Sequence, residues 1–164
     1  PKSNNNVIFA DIKKGKDIIR VYNMHLQSIK ISPDVNEIND NIDAINQGGK
    51  SQKLLNRISI AFKKQQQQAE ILKEHKKECS YPIIICGDMN NSAFSYVYRN
   101  IKGTLNDGFE EAGIGFGATY KFKYYPARID YIFADDKMKF KQFESFPDFE
   151  NSDHFPIMAK LTME

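Results

Sequence analysis

The sequence predicts an α+β fold, mostly antiparallel strands with one long helix. Three observations carry this expectation. Short apolar or alternating runs recur along the chain, each closed by glycine, proline, asparagine or aspartate. A 3.6-residue apolar period is sustained only in the middle, over residues 51–77. At 164 residues and 41% hydrophobic composition, the chain is the size of one domain and can bury a real core.

Taken in order, residues 7–12 read as a strand, 13–16 as a polar turn around Gly15, and 17–26 as the returning strand of a hairpin. In that second strand Ile19, Val21, Asn23 and His25 alternate onto one face. Residues 29–49 are polar, with Pro33 and Gly48-Gly49, and read as a long loop with a short helix near 35–45. The helix over 51–77 places Leu54, Ile58, Ala61, Phe62, Gln65, Ala69 and Leu72 on its apolar stripe. The glutamine run 65–68 does not interrupt it, because glutamine is a fair helix former. Residues 82–86, Pro-Ile-Ile-Ile-Cys, fit a strand buried on both faces. A short helix over 94–101 follows, then four strands over 118–123, 129–134, 139–146 and 155–161. No internal repeat is visible.

A net charge of +2 argues neither for nor against nucleic acid or a membrane surface. Cys79 and Cys86 do not make a disulfide framework or a metal-type pair, and Cys86 reads as a buried free thiol. No signal peptide or membrane-spanning run is present in these residues.

Chemistry-bearing residues gather where apolar runs end. Asp88 and Asn90 follow the run 82–86 and share a face in an extended chain. The aspartate suits positioning a water or touching a metal, and the asparagine suits a phosphoryl oxygen. The plain alternative is an Asx turn closing the strand. Ser152-Asp153-His154 sets a hard oxygen ligand beside a titratable base, or else simply caps the last strand. Asp130, flanked by Ile129 and Tyr131, needs a partner if buried. A histidine would serve in the manner of a catalytic triad, and a surface ion pair with Arg128 is the alternative. His25, beside Asn23, marks a polar pocket or a satisfied strand-end histidine. His75, among lysines near the end of the long helix, reads as a surface residue without a role. The stretch 120–125 interleaves lysines and aromatics, which suits nucleic acid, a lipid head group or a plain amphipathic strand.

These motifs resemble the endonuclease/exonuclease/phosphatase superfamily. The carrying residues are Asn23-Met24-His25-Leu26, Gly87-Asp88-Met89-Asn90, Arg128-Ile129-Asp130-Tyr131-Ile132 and Ser152-Asp153-His154-Phe155-Pro156, in the family's order and with the family's helix between the first two. The resemblance implies an α/β sandwich, the four-layer deoxyribonuclease I-like fold, and a metal-dependent phosphoesterase using Mg2+, with Mn2+ or Ca2+ as alternatives. Carried over, it makes His154 the catalytic histidine, oriented by Asp130, and puts Asp153 at the metal. Asp88 would position the water nucleophile. Asn90 would hold the phosphate, and His25, with Asn23 beside it, would contact the phosphate or leaving group. The implied substrates are nucleic acids, phospholipids or inositol phosphates; the phrase His25-Leu26-Gln27-Ser28 is faintly like the sphingomyelinase branch.

The family's domain runs to about 250 residues or more, beyond this chain's length. Residues 1–164 are therefore expected to form a single partial domain, the C-terminal half. The family's first half brings an asparagine and a metal-ligating glutamate, and no acidic residue precedes Asp11 here. The chain is expected to be weakly active or inactive alone, to pair with the N-terminal half of its own domain, and to self-associate through an exposed sheet face without it. The competing expectation is a non-catalytic binding module that keeps the fold.

Overall fold

The structure, a computed structural model, describes residues 5–29, 49–122 and 125–163. The loop and short helix expected within 30–48 lie outside the described residues. Strands β1 (Asn6–Lys14) and β2 (Asp17–His25) form the expected hairpin, with Gly15 at φ +64° in its turn. Helix α1 (Gly49–Lys77) leads to β3 (Ile83–Asp88), and α2 (Tyr96–Lys102) follows. Then come β4 (Asn106–Asp107), α3 (Gly108–Ala112), β5 (Asp130–Ala134), β6 (Met138–Ser145) and β7 (Ile157–Met163).

Five strands make one sheet in the order β1-β2-β3-β5-β4, and β6-β7 form a separate antiparallel ribbon. Pairing in the large sheet is antiparallel except between β2 and β3. Those two strands run parallel because a helix-bearing crossover, the one containing α1, connects them. No described helix is long and apolar enough to cross a membrane.

The large sheet is apolar on both faces. One face presents Tyr22, Met24, Ile83, Ile85, Tyr131 and Phe133 to α1 and α2, in a core closed by Ala69, Leu72, Val97, Tyr98 and Ile101. On the other, Ile19, Val21, Ile84, Ile132 and Ala134 meet Met138, Phe140, Ala159, Leu161 and Met163 around the β6-β7 ribbon. Ile8 and Ile12 on β1 remain 63% and 51% exposed. Ile12 pairs with Ile19, so the second face continues uncovered onto β1.

Three expectations need correcting. The described part of the segment expected as a strand, residues 118–122, is not one: Tyr120 makes only isolated bridges, to Ala127 and His154. The buried Thr119 hydroxyl instead accepts the backbone N–H groups of Ile129 and Asp130, at 3.0 Å each, donors a ladder would have used. His75 is not a bare surface residue; it is half-buried, shares a 2.8 Å hydrogen bond with the Tyr22 hydroxyl and packs against Phe9. Cys86 is free as expected but only partly buried, its thiol donating to the Tyr22 carbonyl.

Elements β4 and α3 were not expected, and they hinge on Asp107. Its carboxylate caps α3 by accepting from Phe109 N at 2.9 Å, accepts from the Tyr98 hydroxyl at 2.8 Å, and pairs with Arg128 at 2.6 Å. The Asp107 side chain has no exposure and the Arg128 side chain 13%. Removing one member of a buried pair strands the other's charge. Asp107→Asn, which keeps the size and much of the cap, is expected to cost about 3 kcal/mol of stability in chemical denaturation. A loss under about 0.5 kcal/mol, the range of ordinary surface changes, would contradict this.

Candidate active site

Strand register assembles the site. His25 lies opposite Asp88 on the β2-β3 pair, and Asp88 opposite Asp130 on the β3-β5 pair. Residues directly opposite in a sheet point to the same face, so one row across three strands carries an imidazole and two carboxylates. His154 joins from the turn before β7. That turn is stapled down by Phe155 N donating to Thr119 O and Lys121 N donating to Asp153 O, each at 2.8 Å. His154 N also donates to Ser152 Oγ at 3.0 Å.

His154 Nδ1 lies 2.9 Å from Asp130 Oδ2. The carboxylate makes Nδ1 the proton-bearing nitrogen and leaves Nε2 for substrate or water. The hydrogen bond that His154 donates to Asp130 raises the His154 pKa above the ordinary imidazole value, against the opposing pull of burial. The Tyr120 ring meets the imidazole edge-on at 4.9 Å. Asp130 is thus partnered by histidine; the ion pair with Arg128 does not form, because Arg128 is committed to Asp107. Thr119, which no motif marked, holds the backbone at Asp130 through the two bonds described above.

Asp88 closes β3 in an Asx turn, and the turn builds the site rather than competing with it. Asn90 N donates to Asp88 Oδ1 at 2.7 Å and Asn90 Nδ2 to Asp88 Oδ2 at 2.8 Å, with Asn90 itself at φ +51°. The second Nδ2 hydrogen goes to Leu26 O at 3.1 Å. Both amide donors of Asn90 are therefore spent on holding Asp88 and the β2 exit, and offering one to a phosphoryl oxygen requires an exchange. Burial, with the charge of Asp130 close by, pushes the Asp88 carboxyl up to about 6. His25 Nε2 stands 3.5 Å from Asp88 Oδ2 and is nearly half exposed.

His25, Asp88, Asn90, Asp153 and His154 all line one cleft of about 420 Å3. Asp153 reaches it with an exposed side chain and is not part of the tight cluster. Asn23 shares the face of His25 on β2, exposed, but does not line the cleft. Tyr120, Phe122 and Tyr125 line its wall, the last two rings 4.8 Å apart. Tyr120, Phe122 and Tyr125 thus reach the site from outside any strand.

Among the described residues, Asp88, Asp130 and His154 each offer a ligand atom within 4.8 Å of the others. The two carboxylate oxygens suit a hard divalent cation, and the imidazole stands beside them.

The model of the Endonuclease/Exonuclease/phosphatase family matches residues 22–154. No curated protein matches the chain by sequence. Solved structures resemble it in fold. An endonuclease/exonuclease/phosphatase from Bacteroides vulgatus shares 19% identity at a TM-score of 0.65, with 98% of this chain and 56% of that chain covered. A mannosyl-6-phosphatase from Bacteroides thetaiotaomicron shares 18% at 0.53, covering 91% and 53%. The catalytic domain of human Nocturnin shares 16% at 0.57, covering 99% and 54%. The chain spans about half the length of each of these structures. The likeness bears out the deoxyribonuclease I-like fold. From residue 22 to residue 154, the stretch that holds every member of the cluster, the chain belongs to the Endonuclease/Exonuclease/phosphatase family.

Proposed function

We propose that the protein carrying this chain hydrolyses a phosphate ester with a divalent metal ion, magnesium by preference, with Mn2+ or Ca2+ as alternatives. The observation that carries the reading is the Asp130-His154 pair clustered with Asp88, at a cleft that Asp88 and His154 line. His154, oriented by Asp130, exchanges a proton with the attacking water or the phosphate through Nε2. Asp88, held by Asn90, orients the water. His25 faces the phosphate or the leaving group from the far side of Asp88, with Asn23 beside it on the same face of β2. A cation held by Asp88 and Asp130, with Asp153 at the cleft wall, would neutralise charge on the phosphoryl group.

The fold fits this division of labour, because phosphoryl transfer needs positioning and charge neutralisation more than covalent chemistry. The 164-residue chain alone turns over weakly, since structures similar to it are about twice as long. The remaining half of the same domain covers the face that exposes Ile8 and Ile12; without it, two copies associate there.

The substrate is a nucleic acid, a phospholipid or an inositol phosphate. The rings of Tyr120, Phe122 and Tyr125 on the cleft wall favour a leaving group with a planar or apolar part. Incubating the full-length protein with plasmid DNA, abasic DNA, sphingomyelin and an inositol polyphosphate side by side, with magnesium, tests the reading. Cleavage of a phosphate ester in at least one is expected, with far slower cleavage by the 164-residue chain. No cleavage of any would favour a binding module, and robust turnover by the short chain would refute its dependence on the rest of the domain.

A further inference from the structure

Gln65 lies in the middle of α1, on none of the four motifs, and its exposure is 0%. A buried carboxamide is costly unless its polar atoms are paired. Here they are paired in a telling way. Gln65 Nε2 donates to Gln27 O at 2.7 Å and to Asn90 O at 3.1 Å, while its Oε1 accepts from Asn91 Nδ2 at 2.8 Å. One turn on, Gln68 Oε1 accepts from Gln27 N at 2.9 Å.

The partners all sit on two loops. Gln27 follows His25 out of β2, and Asn90-Asn91 follow Asp88 out of β3. The helix therefore grips both site-bearing strand exits through a single buried side chain. Downstream of that grip is Asn90, which binds both oxygens of Asp88 and stands in a left-handed conformation that few non-glycine residues adopt. A backbone turn of that kind persists when its surroundings over-determine it. The Gln65 bond to Asn90 O and the Asn90 bond to Leu26 O do so from two directions. Burial alone would have been served equally well by methionine or leucine, which suits the rest of the α1 stripe at Ala61, Ala69 and Leu72.

We propose that Gln65 is a positioning residue: by fixing the Asn90 turn it sets the direction of both Asp88 oxygens into the cleft. The proposal rests on the phosphoesterase reading for its catalytic consequence, and on geometry alone for the tie itself.

Gln65→Met in the full-length protein tests it, since methionine keeps the length and removes every hydrogen bond. Amide hydrogen exchange should quicken in peptides spanning residues 26–28 and 89–91, with peptides of β5 and β6 unchanged. The kcat should fall about ten- to a hundredfold, the loss typical of a small displacement of a reacting group. The magnesium concentration for half-maximal rate should rise severalfold, which a mere fraction of unfolded protein would not move. Gln66→Met and Gln67→Met, on the exposed side of the same helix, should leave all three readouts unchanged. Faster exchange with unchanged kcat would overturn the positioning role, and lowered kcat with unchanged exchange would overturn its route through Asn90. If the methionine variant does not fold, Gln65→Glu, which keeps the shape and the acceptor but loses both donors, is read against the same outcomes. Should the wild type hydrolyse no phosphate ester, the phosphoesterase reading fails, while the exchange result still decides the tie.

Discussion

His154→Ala is expected to cut turnover by the full-length protein about a hundredfold to ten-thousandfold, the usual worth of a general acid–base group. The loss should fall on kcat, because the proton transfer is made in the transition state rather than in substrate binding. The geometry explains why this residue carries so much. Its Nδ1 is tied to Asp130 at 2.9 Å, Asp130 is tied at its backbone to buried Thr119, and Tyr120 flanks the ring. With the tautomer and the ring plane set, Nε2 is left free of Asp130 on a histidine that lines the same cleft as Asp88 and His25. Asp130→Asn should therefore be nearly as damaging although it leaves the imidazole in place, since the amide no longer enforces the proton on Nδ1. Steady-state kinetics on a cleaved substrate checks both variants. A His154→Ala rate equal to wild type would refute the role assigned to it.

Gly87→Ala is expected to destabilise the protein by about 4 kcal/mol or more. Gly87 sits mid-sheet at φ +129°, paired with Met24 on one side and Tyr131 on the other. A Cβ there would stand 2.0 Å from Met24 O and 2.9 Å from Met24 N and C, all backbone atoms of β2. No side-chain rotation relieves that contact; β2 would have to part from β3, beside the His25-Asp88 pair. Domains of this kind hold only about 5–15 kcal/mol in total, so little would remain. Gly15→Ala is the matched control. It too has positive φ, but its Cβ would meet nothing within 4 Å, so only backbone strain of about 1 kcal/mol applies. Denaturant midpoints for the two variants should differ widely; a Gly87→Ala protein within about 1 kcal/mol of wild type would contradict the close approach described.

Much of this is legible in the amino-acid sequence. The strands around Asn23 and His25, around residues 82–86 and around Asp130 stood out by alternation and by their polar ends. The long helix was visible through its period. Register was not legible, because it is set by pairing between residues far apart in sequence. It is register that turns three separate strand ends into the row His25, Asp88, Asp130. The same distance hid the Asp107-Arg128 pair, and with it β4 and α3: nothing local marks which carboxylate a buried arginine will choose. Residues 118–122 look like an amphipathic strand because aromatics and lysine alternate there, whereas the Thr119 hydroxyl takes the backbone donors of Ile129 and Asp130. Period alone places Gln65 on the buried stripe; its purpose emerges only when two distant loops are folded onto it.

One measurement bears most directly on the account: the rate of phosphate-ester hydrolysis by the full-length protein after chelation, as magnesium is returned. The cluster of Asp88, Asp130 and His154 predicts a near-zero rate with chelator, saturable recovery on adding magnesium, and no comparable recovery in His154→Ala. Undiminished hydrolysis by the chelated wild type, or full recovery in the alanine variant, would contradict it.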